Sequence, residues 1–367
     1  MFSDTPRDPS LRAGPLVTVV IPAYLAEPFI EETLRSVVDQ THRPIEVVVV
    51  EDASPDATAQ IVEKLATELS TPDFRVRLLR QPRNMGGAAA LRRGFAEAGG
   101  EYVCWLSADD AFIYPGKTAD QLAALASGGG LSFCRRTAVG PTPEEAEAAW
   151  WHWFRRLPVL DRLFDELPSW RLLALLFFNV INGSSVMMPR STIEHFGTFD
   201  AGVGNIDQDG DLWMRYSAQG LKFRPIDELA VFYRVHPGQT SNQTDSVSRG
   251  CTVNRLRMIM ALEESGRLGR LLRRAWPVLI PILRGSYRLW PAVGRRLIVV
   301  GRTSGCGISA RIILSAMQRR MASEGLWEAD DADVVAAARE SMESAEYVRF
   351  RYALAANGLG ARRLRGA

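Results

Sequence analysis

Four short clusters carry side chains that can do chemistry. Glu51-Asp52-Ala53-Ser54 and Ser107-Ala108-Asp109-Asp110 each follow an apolar run. Asp207-Gln208-Asp209-Gly210-Asp211 precedes a Leu-Trp-Met-Arg stretch. Tyr233-Arg234-Val235-His236 closes the apolar run Leu229–Phe232. Carboxylates gathered on one rim can hold a divalent cation against the diphosphate of a nucleotide. Each cluster alone also has an ordinary explanation, because Asp and Ser form turns and cap helices after strands. The third cluster opens like an EF-hand. That loop needs Gly at its sixth position and Glu at its twelfth, and Leu212 and Ala218 stand there, so calcium is rejected. The stretch after it reads as a helix whose N-terminus can hold Asp209 or Asp211, with Asp211 expected as the cap.

These clusters need elements to position them. Val17–Pro22 is a β-branched run ended by Pro, and Ile45–Val50, Val76–Leu79 and Tyr102–Leu106 are three more apolar runs. All four read as buried strands. Between them lie helical spacings. Glu27-Pro28 opens a helix with Ile30, Leu34, Val37 and Val38. Ser54-Pro55-Asp56 caps a second with Ile61, Leu65 and Leu69. Gly87–Ala98 forms a small-residue third. Strands apolar throughout and alternating with helices mean a mostly parallel sheet covered on both faces. Ligands bind such sheets at the carboxyl ends of the strands, where Asp52 and Asp109 fall. The first strand-to-helix turn, Pro22–Pro28, has no glycine, and the chain has no GxxxxGK[ST] motif. A dinucleotide-binding fold and a P-loop are therefore not expected.

The chain has 367 residues, 47% hydrophobic and 23% charged, which suits a folded soluble protein. The net charge of +2 hides an asymmetry. Residues 1–250 hold 24 basic and 32 acidic side chains, whereas 251–367 hold 20 basic, all Arg, and 10 acidic. The balance gives no sign of nucleic-acid binding. The four cysteines form no CxxC pair, as in a reducing cytoplasmic setting. No apolar run approaches the length of a spanning helix. The expected organisation is a flexible leader at 1–15, a catalytic domain at 16–250 and an Arg-rich, mostly helical region at 251–367. One helix is expected from about Asp331 to Asn357, with Val334, Ala338, Met342, Ala345, Val348 and Tyr352 as its apolar stripe and Gly358 as its stop. That stripe could support a homodimer, or the region could pack on the catalytic domain. Trp150–Phe154 reads as packing between helices.

In their order along the chain, these segments resemble family 2 glycosyltransferases of the GT-A fold. The resemblance rests on Val17–Tyr24, Gln40–Glu46, Glu51–Ser54, Asn84–Gly87, Gly100–Asp110, Asn182–Arg190, Phe196–Asp200, Asp209–Arg215 and Tyr233–His236. It implies an inverting transfer of sugar from a nucleoside diphosphate, with UDP the expected one, to a small-molecule, glycan or lipid-linked acceptor. Asp52 would bond the nucleobase in a pocket with Ala23, Tyr24 and Asn84. Asp109 would bind Mn²⁺ or Mg²⁺ on the donor diphosphate, supported by Asp110. Arg234 and His236 would contact the donor phosphate or the metal, and Asp209 would be the general base. The sequence departs from the family pattern where Ser107 replaces the first Asp of D-x-D, a position toward the ribose. Gln208 replaces a glutamate before the base. A sugar nucleotidyltransferase and a non-catalytic sugar-nucleotide-binding protein are the alternatives. The first needs a Gly- and Lys/Arg-rich loop after the first strand, which this chain lacks.

Overall fold

The computed structural model describes residues 14–148, 158–177, 179–203, 207–239, 244–271, 291–303, 308–327 and 332–363. Most of the expected leader, the aromatic segment Trp150–Phe154, the apolar stretch Trp276–Leu283 and Cys306 lie outside these residues.

The strands are β1 (Val17–Ala23), β2 (Ile45–Glu51), β3 (Phe74–Arg80), β4 (Tyr102–Trp105), β5 (Ala111–Phe112), β6 (Leu131–Gly140), β7 (Glu147–Ala148), β8 (Met187–Pro189) and β9 (Phe223–Arg234). They form one sheet in the order β3-β2-β1-β4-β8-β6-β9-β5, with β7 on β6. The first four are parallel, as their unbroken apolar runs predict. Helices α1 (Ile30–Val38), α2 (Thr58–Leu69) and α3 (Gly87–Ala96) make the crossovers. The chain winds outward from β1 to β3, then returns to the other side of β1 with β4. The order reverses between β1 and β4, so a crevice opens there at the carboxyl ends. Beyond β4 the sheet is mixed. β8 runs antiparallel to β4 and β6, and β9 lies parallel to β6. Ala111 on β5 pairs with Phe232 on β9, which sets the Asp109-Asp110 turn beside Arg234.

Alternate side chains of β1 and β2 enter two cores. Val17, Val19, Ile21, Val47 and Val49 pack with α1 and α2. Val20, Val48 and Val50 join α3, α6 (Pro168–Leu175), α8 (Gln208–Ala218), α9 (Thr244–Glu264) and later helices up to Leu354. The C-terminal helices are thus part of the main core. α9 runs through the boundary expected at residue 250.

Two expectations for this region are corrected. The single helix expected over 331–357 is two, Ala332–Ser341 and Ala345–Arg363, and the second continues through Gly358. The turn between them shifts the helical phase. Ala338 and Met342 are buried before it, and Tyr347, Phe350 and Leu354 after it, whereas Tyr352 is 74% exposed. Ser344, just ahead of the second helix, donates to Asp200 Oδ2 at 2.7 Å, so a tertiary bond holds the break. The buried side chains of the expected stripe are covered by this chain's own core.

Candidate active site

The crevice is built from three loops tied to one another. At the end of β1, Leu25 N–H donates to Ser54 Oγ at 2.8 Å, Ala26 N–H to Thr58 Oγ1 at 3.0 Å and Glu27 N–H to Asp56 Oδ2 at 3.1 Å. The side chains ahead of α2 therefore satisfy the amides ahead of α1. Asp52, only 2% exposed, accepts from Met85 N–H at 2.8 Å and Gly86 N–H at 2.6 Å. Its carboxylate braces the loop before α3. Ala23 is buried and its carbonyl accepts from Asp52 N–H at 2.9 Å. Tyr24 is 45% exposed, and Asn84 is exposed on the braced loop.

The β4–β5 turn meets the end of β9. Asp109 Oδ2 and His236 Nε2 are 3.1 Å apart, and both side chains are partly open to solvent. Asp110 points the other way and is buried. Its Oδ2 accepts from Ser184 Oγ at 2.5 Å and its Oδ1 from Arg234 N–H at 3.2 Å. Burial, and then the Asp109 charge, push its carboxyl well above the usual carboxylate range. Ser184 Oγ also lies 3.2 Å from Ser107 Oγ, so the hydroxyl in place of an aspartate continues a buried polar chain.

Arg234 was expected to reach donor phosphate. The structure turns its guanidinium inward, onto Glu32 Oε2 at 2.6 Å, Asp109 O at 3.0 Å and Pro141 O at 3.2 Å, between the rings of Phe29 and Phe232. It fastens the Asp109-Asp110 turn to α1 and to the end of β6. That inward bonding could not be read locally, since Glu32 is distant in sequence.

A cleft of about 270 Å³ joins the second and third clusters. Ser107, Asp110 and Ser184 line it together with Asp207, Gln208 and Asp209, and Trp105, Asn179, Asn182 and Tyr233 are among the remaining wall residues. Asp52, Asn84, Asp109 and His236 are not part of that wall. Asp209 lies in the first turn of α8. Burial, and then the Asp207 charge, push its carboxyl up to about 6. Asn179 and Gly210 N–H bond it and act against the rise. Gln208 beside it has a buried Oε1 that meets no partner among the described residues.

Asp211 is not the helix cap. It is fully buried between Arg215 Nε at 2.8 Å and Arg257 Nη2 at 2.6 Å. The residue before the helix is Asp207, in the left-handed region at φ 52°. Its Oδ2 lies 2.9 Å from Arg255 Nη1. Arg255 and Arg257 come from α9, in an Arg-rich segment where nothing local marks them for the site. Ser184 and Asn182 carried a fainter signal, in the Asn182-Gly-Ser-Ser run.

Comparison with known proteins follows the same outline. Residues 18–171 match the family model described as glycosyl transferase family 2. An uncharacterized glycosyltransferase of Rickettsia typhi is 28% identical over 232 residues, 62% of this chain and 67% of that one. The Escherichia coli UDP-Glc:alpha-D-GlcNAc-diphosphoundecaprenol beta-1,3-glucosyltransferase WfaP is 24% identical over 231 residues, 62% of this chain and 80% of that one. Among solved structures, the mannosyltransferase PcManGT of Pyrobaculum calidifontis, in complex with GDP-Man and Mn²⁺, aligns with a TM-score of 0.50 at 20% identity. It covers 97% of this chain and 90% of that one. Residues 1–349 of S. aureus TarS in complex with UDP-GlcNAc align at 0.51 and 15% identity, covering 94% and 92%. These two likenesses are of fold.

Proposed function

We propose that this chain, whose residues 18–171 match the family model for glycosyl transferase family 2, moves a sugar in its cleft from a nucleoside diphosphate to an acceptor hydroxyl with inversion at the anomeric carbon. The observation that carries the reading is Asp209, a carboxylate pushed up to about 6 in the wall of the cleft that Ser107 and Asp110 also line. A base is most useful when its proton affinity lies near the working pH. A single displacement needs one such group and no covalent intermediate.

The acceptor hydroxyl gives its proton to an Asp209 oxygen as it attacks the anomeric carbon from the face opposite the leaving nucleotide. Asp52 holds the loop of Asn84 in place, and that loop, Ala23 and Tyr24 form the nucleobase side. The second lone pair of each Asp52 oxygen serves the base itself. Asp109 and His236 present a carboxylate oxygen and an imidazole nitrogen side by side and accessible. Among the described residues no third His, Cys, Asp or Glu joins them, so the pair fits Mn²⁺ or Mg²⁺ whose other ligands are diphosphate oxygens. Such an ion supplies charge to offset that developing on the leaving diphosphate. Arg234 orients the Asp109 turn, and Asp110 anchors it from below.

UDP is the first donor to test, since the E. coli relative is named for UDP-Glc. That name also favours an acceptor carried on a lipid diphosphate over a small molecule or a free glycan. No described helix is long and apolar enough to cross a membrane. The described cysteines are free and buried, which suits the cytoplasm, where nucleotide sugars are made.

The test is a panel of UDP-glucose, UDP-GlcNAc, UDP-galactose and GDP-mannose with Mn²⁺ or Mg²⁺. Binding is read by thermal shift, transfer by nucleotide release, and product configuration by NMR. Saturating donor at 100 times its Kd should add about 2.7 kcal/mol of stability. A product retaining the donor's anomeric configuration would overturn the single displacement. Wild-type transfer by Asp209→Asn would overturn the base.

A further inference from the structure

We infer that α9 positions the base of this enzyme, with Arg255 and Asn254 acting as positioning residues that hold Asp207, and through it Asp209, in working orientation. The inference rests on the reading of Asp209 as base and extends it to residues of α9.

Asp207 is the pivot. It sits in a left-handed conformation, which a non-glycine residue adopts only under constraint, at a cost on the order of 1 kcal/mol or more. Its carbonyl begins α8, accepting Asp211 N–H at 3.0 Å. Three side chains hold it there. Arg255 Nη1 bonds its Oδ2 at 2.9 Å, Asn254 Nδ2 donates to its carbonyl at 3.1 Å, and Asn179 Nδ2 lies 3.5 Å from its Oδ1. Arg255 is 2% exposed and Asn254 1%. A buried guanidinium is costly to desolvate unless it meets a carboxylate, and here it meets the one two residues before the base.

The second contact of α9 fixes the other end of the turn. Arg257 bonds Asp211 from 2.6 Å and Asp200 from 2.9 Å. Asp209 therefore stands between two carboxylates that are each clamped by an arginine of the same helix, while its own charge is left to the cleft. The groups facing Asp209 are few. Asp207 precedes α8 and Asp211 follows within it, sealed by Arg215 and Arg257. Asn179 lies beyond α6. Cys251 on α9 has its thiol pushed up to about 12, chiefly by burial, with Asp207 and Asp209 adding to it. Asp110 and Tyr233 line the same cleft. The nearest like charge is that of Asp207, and its pairing with Arg255 controls how much of that charge Asp209 feels.

The experiment follows the aspartate carboxyl carbons by ¹³C NMR in the full chain, with Asp209→Asn assigning the resonance. Wild type should titrate near 6. Arg255→Gln should raise that midpoint by about one unit, as an unmasked like charge does, and Arg255→Lys should restore most of it. Asp207→Asn should lower it. In steady-state kinetics with whichever donor of the panel is turned over, Arg255→Gln should lower kcat at least tenfold with donor KM nearly unchanged. The acid limb of kcat should move with the NMR midpoint. If Arg255→Gln does not fold, the pair Asp207→Asn with Arg255→Gln leaves no buried charge unmatched and takes its place, with a midpoint expected below that of wild type. A wild-type midpoint in these variants overturns the inference. So does a fall in kcat that merely tracks loss of folded protein. If instead the midpoints move as expected while Asp209→Asn still transfers sugar, the clamp stands and the assignment of the base falls.

Discussion

Asp209 and Asp109 hold their charges under different constraints, and the difference is measurable. As the proposed base, Asp209 would have to be deprotonated to work, and burial has lifted its carboxyl to about 6. Its active fraction is full well above that pH and falls as pH drops through it. We expect kcat to fall about tenfold per unit below pH 6, with Asp209→Asn slower by at least about 100-fold at pH 7.5 and donor affinity retained. A flat profile between pH 5 and 7 would contradict the assignment. Asp109 is half-open and paired with His236. Asp109→Asn and His236→Ala should each weaken Mn²⁺-dependent nucleotide binding roughly tenfold or more in calorimetry, while metal-free binding of the nucleoside part changes little. Equal losses with and without the ion would remove the pair from the metal. Both residues were visible in the sequence as members of short carboxylate clusters, Asp109 after a strand and Asp209 ahead of a helix, and the resemblance supplied the role expected of each. Asp52 and Arg234 were visible as residues, but their bonds to Met85, Gly86 and Glu32 depend on which loops meet. Spacing along the chain carries no record of that.

At the level of elements, the close approach of α3 to β1 deserves a direct test. A Cβ on Gly94 would lie 2.2 Å from Val20 Cγ1, so the helix sits on the sheet with no room for a methyl group. Gly94→Ala should cost about 1–3 kcal/mol and lower Tm by roughly 2–4 °C for each kcal/mol. An unchanged Tm would mean that the contact relaxes freely. The first four strands and three helices were legible because their apolar runs and helical spacings are unambiguous over several residues. The strands from β5 to β9 were harder to read. Several are two or three residues long, and β9 pairs with β6 across a long separation in sequence. The last two helices were misread as one because a stripe at helical spacing continues numerically through a turn that shifts its phase. The signal lay in Ser344, whose partner Asp200 is far away in sequence.

At the scale of the whole molecule, the arginine excess after residue 250 turns out to be partly internal. Arg255 and Arg257 are buried against Asp207, Asp200 and Asp211, so part of the C-terminal charge answers the acidic surplus of the first 250 residues inside the fold. A chain ending at residue 243 would lose both clamps, each worth about 3–5 kcal/mol when one partner is removed. It would also uncover the core face on α8. We expect that fragment to be insoluble or to lack a cooperative melting transition. A soluble, cooperatively melting fragment that binds UDP would show that the first 243 residues fold alone. The shared core also bears on how the protein is born. Synthesis delivers the chain from its N-terminus at about 5–20 residues per second, so Asp209 leaves the ribosome roughly 7–30 seconds before Leu354 arrives to close the same core. Through that interval the nascent chain carries a nearly complete sheet with one apolar face still open. Chaperone occupancy on stalled ribosomes should therefore rise once α8 has emerged and fall only when the final helix does.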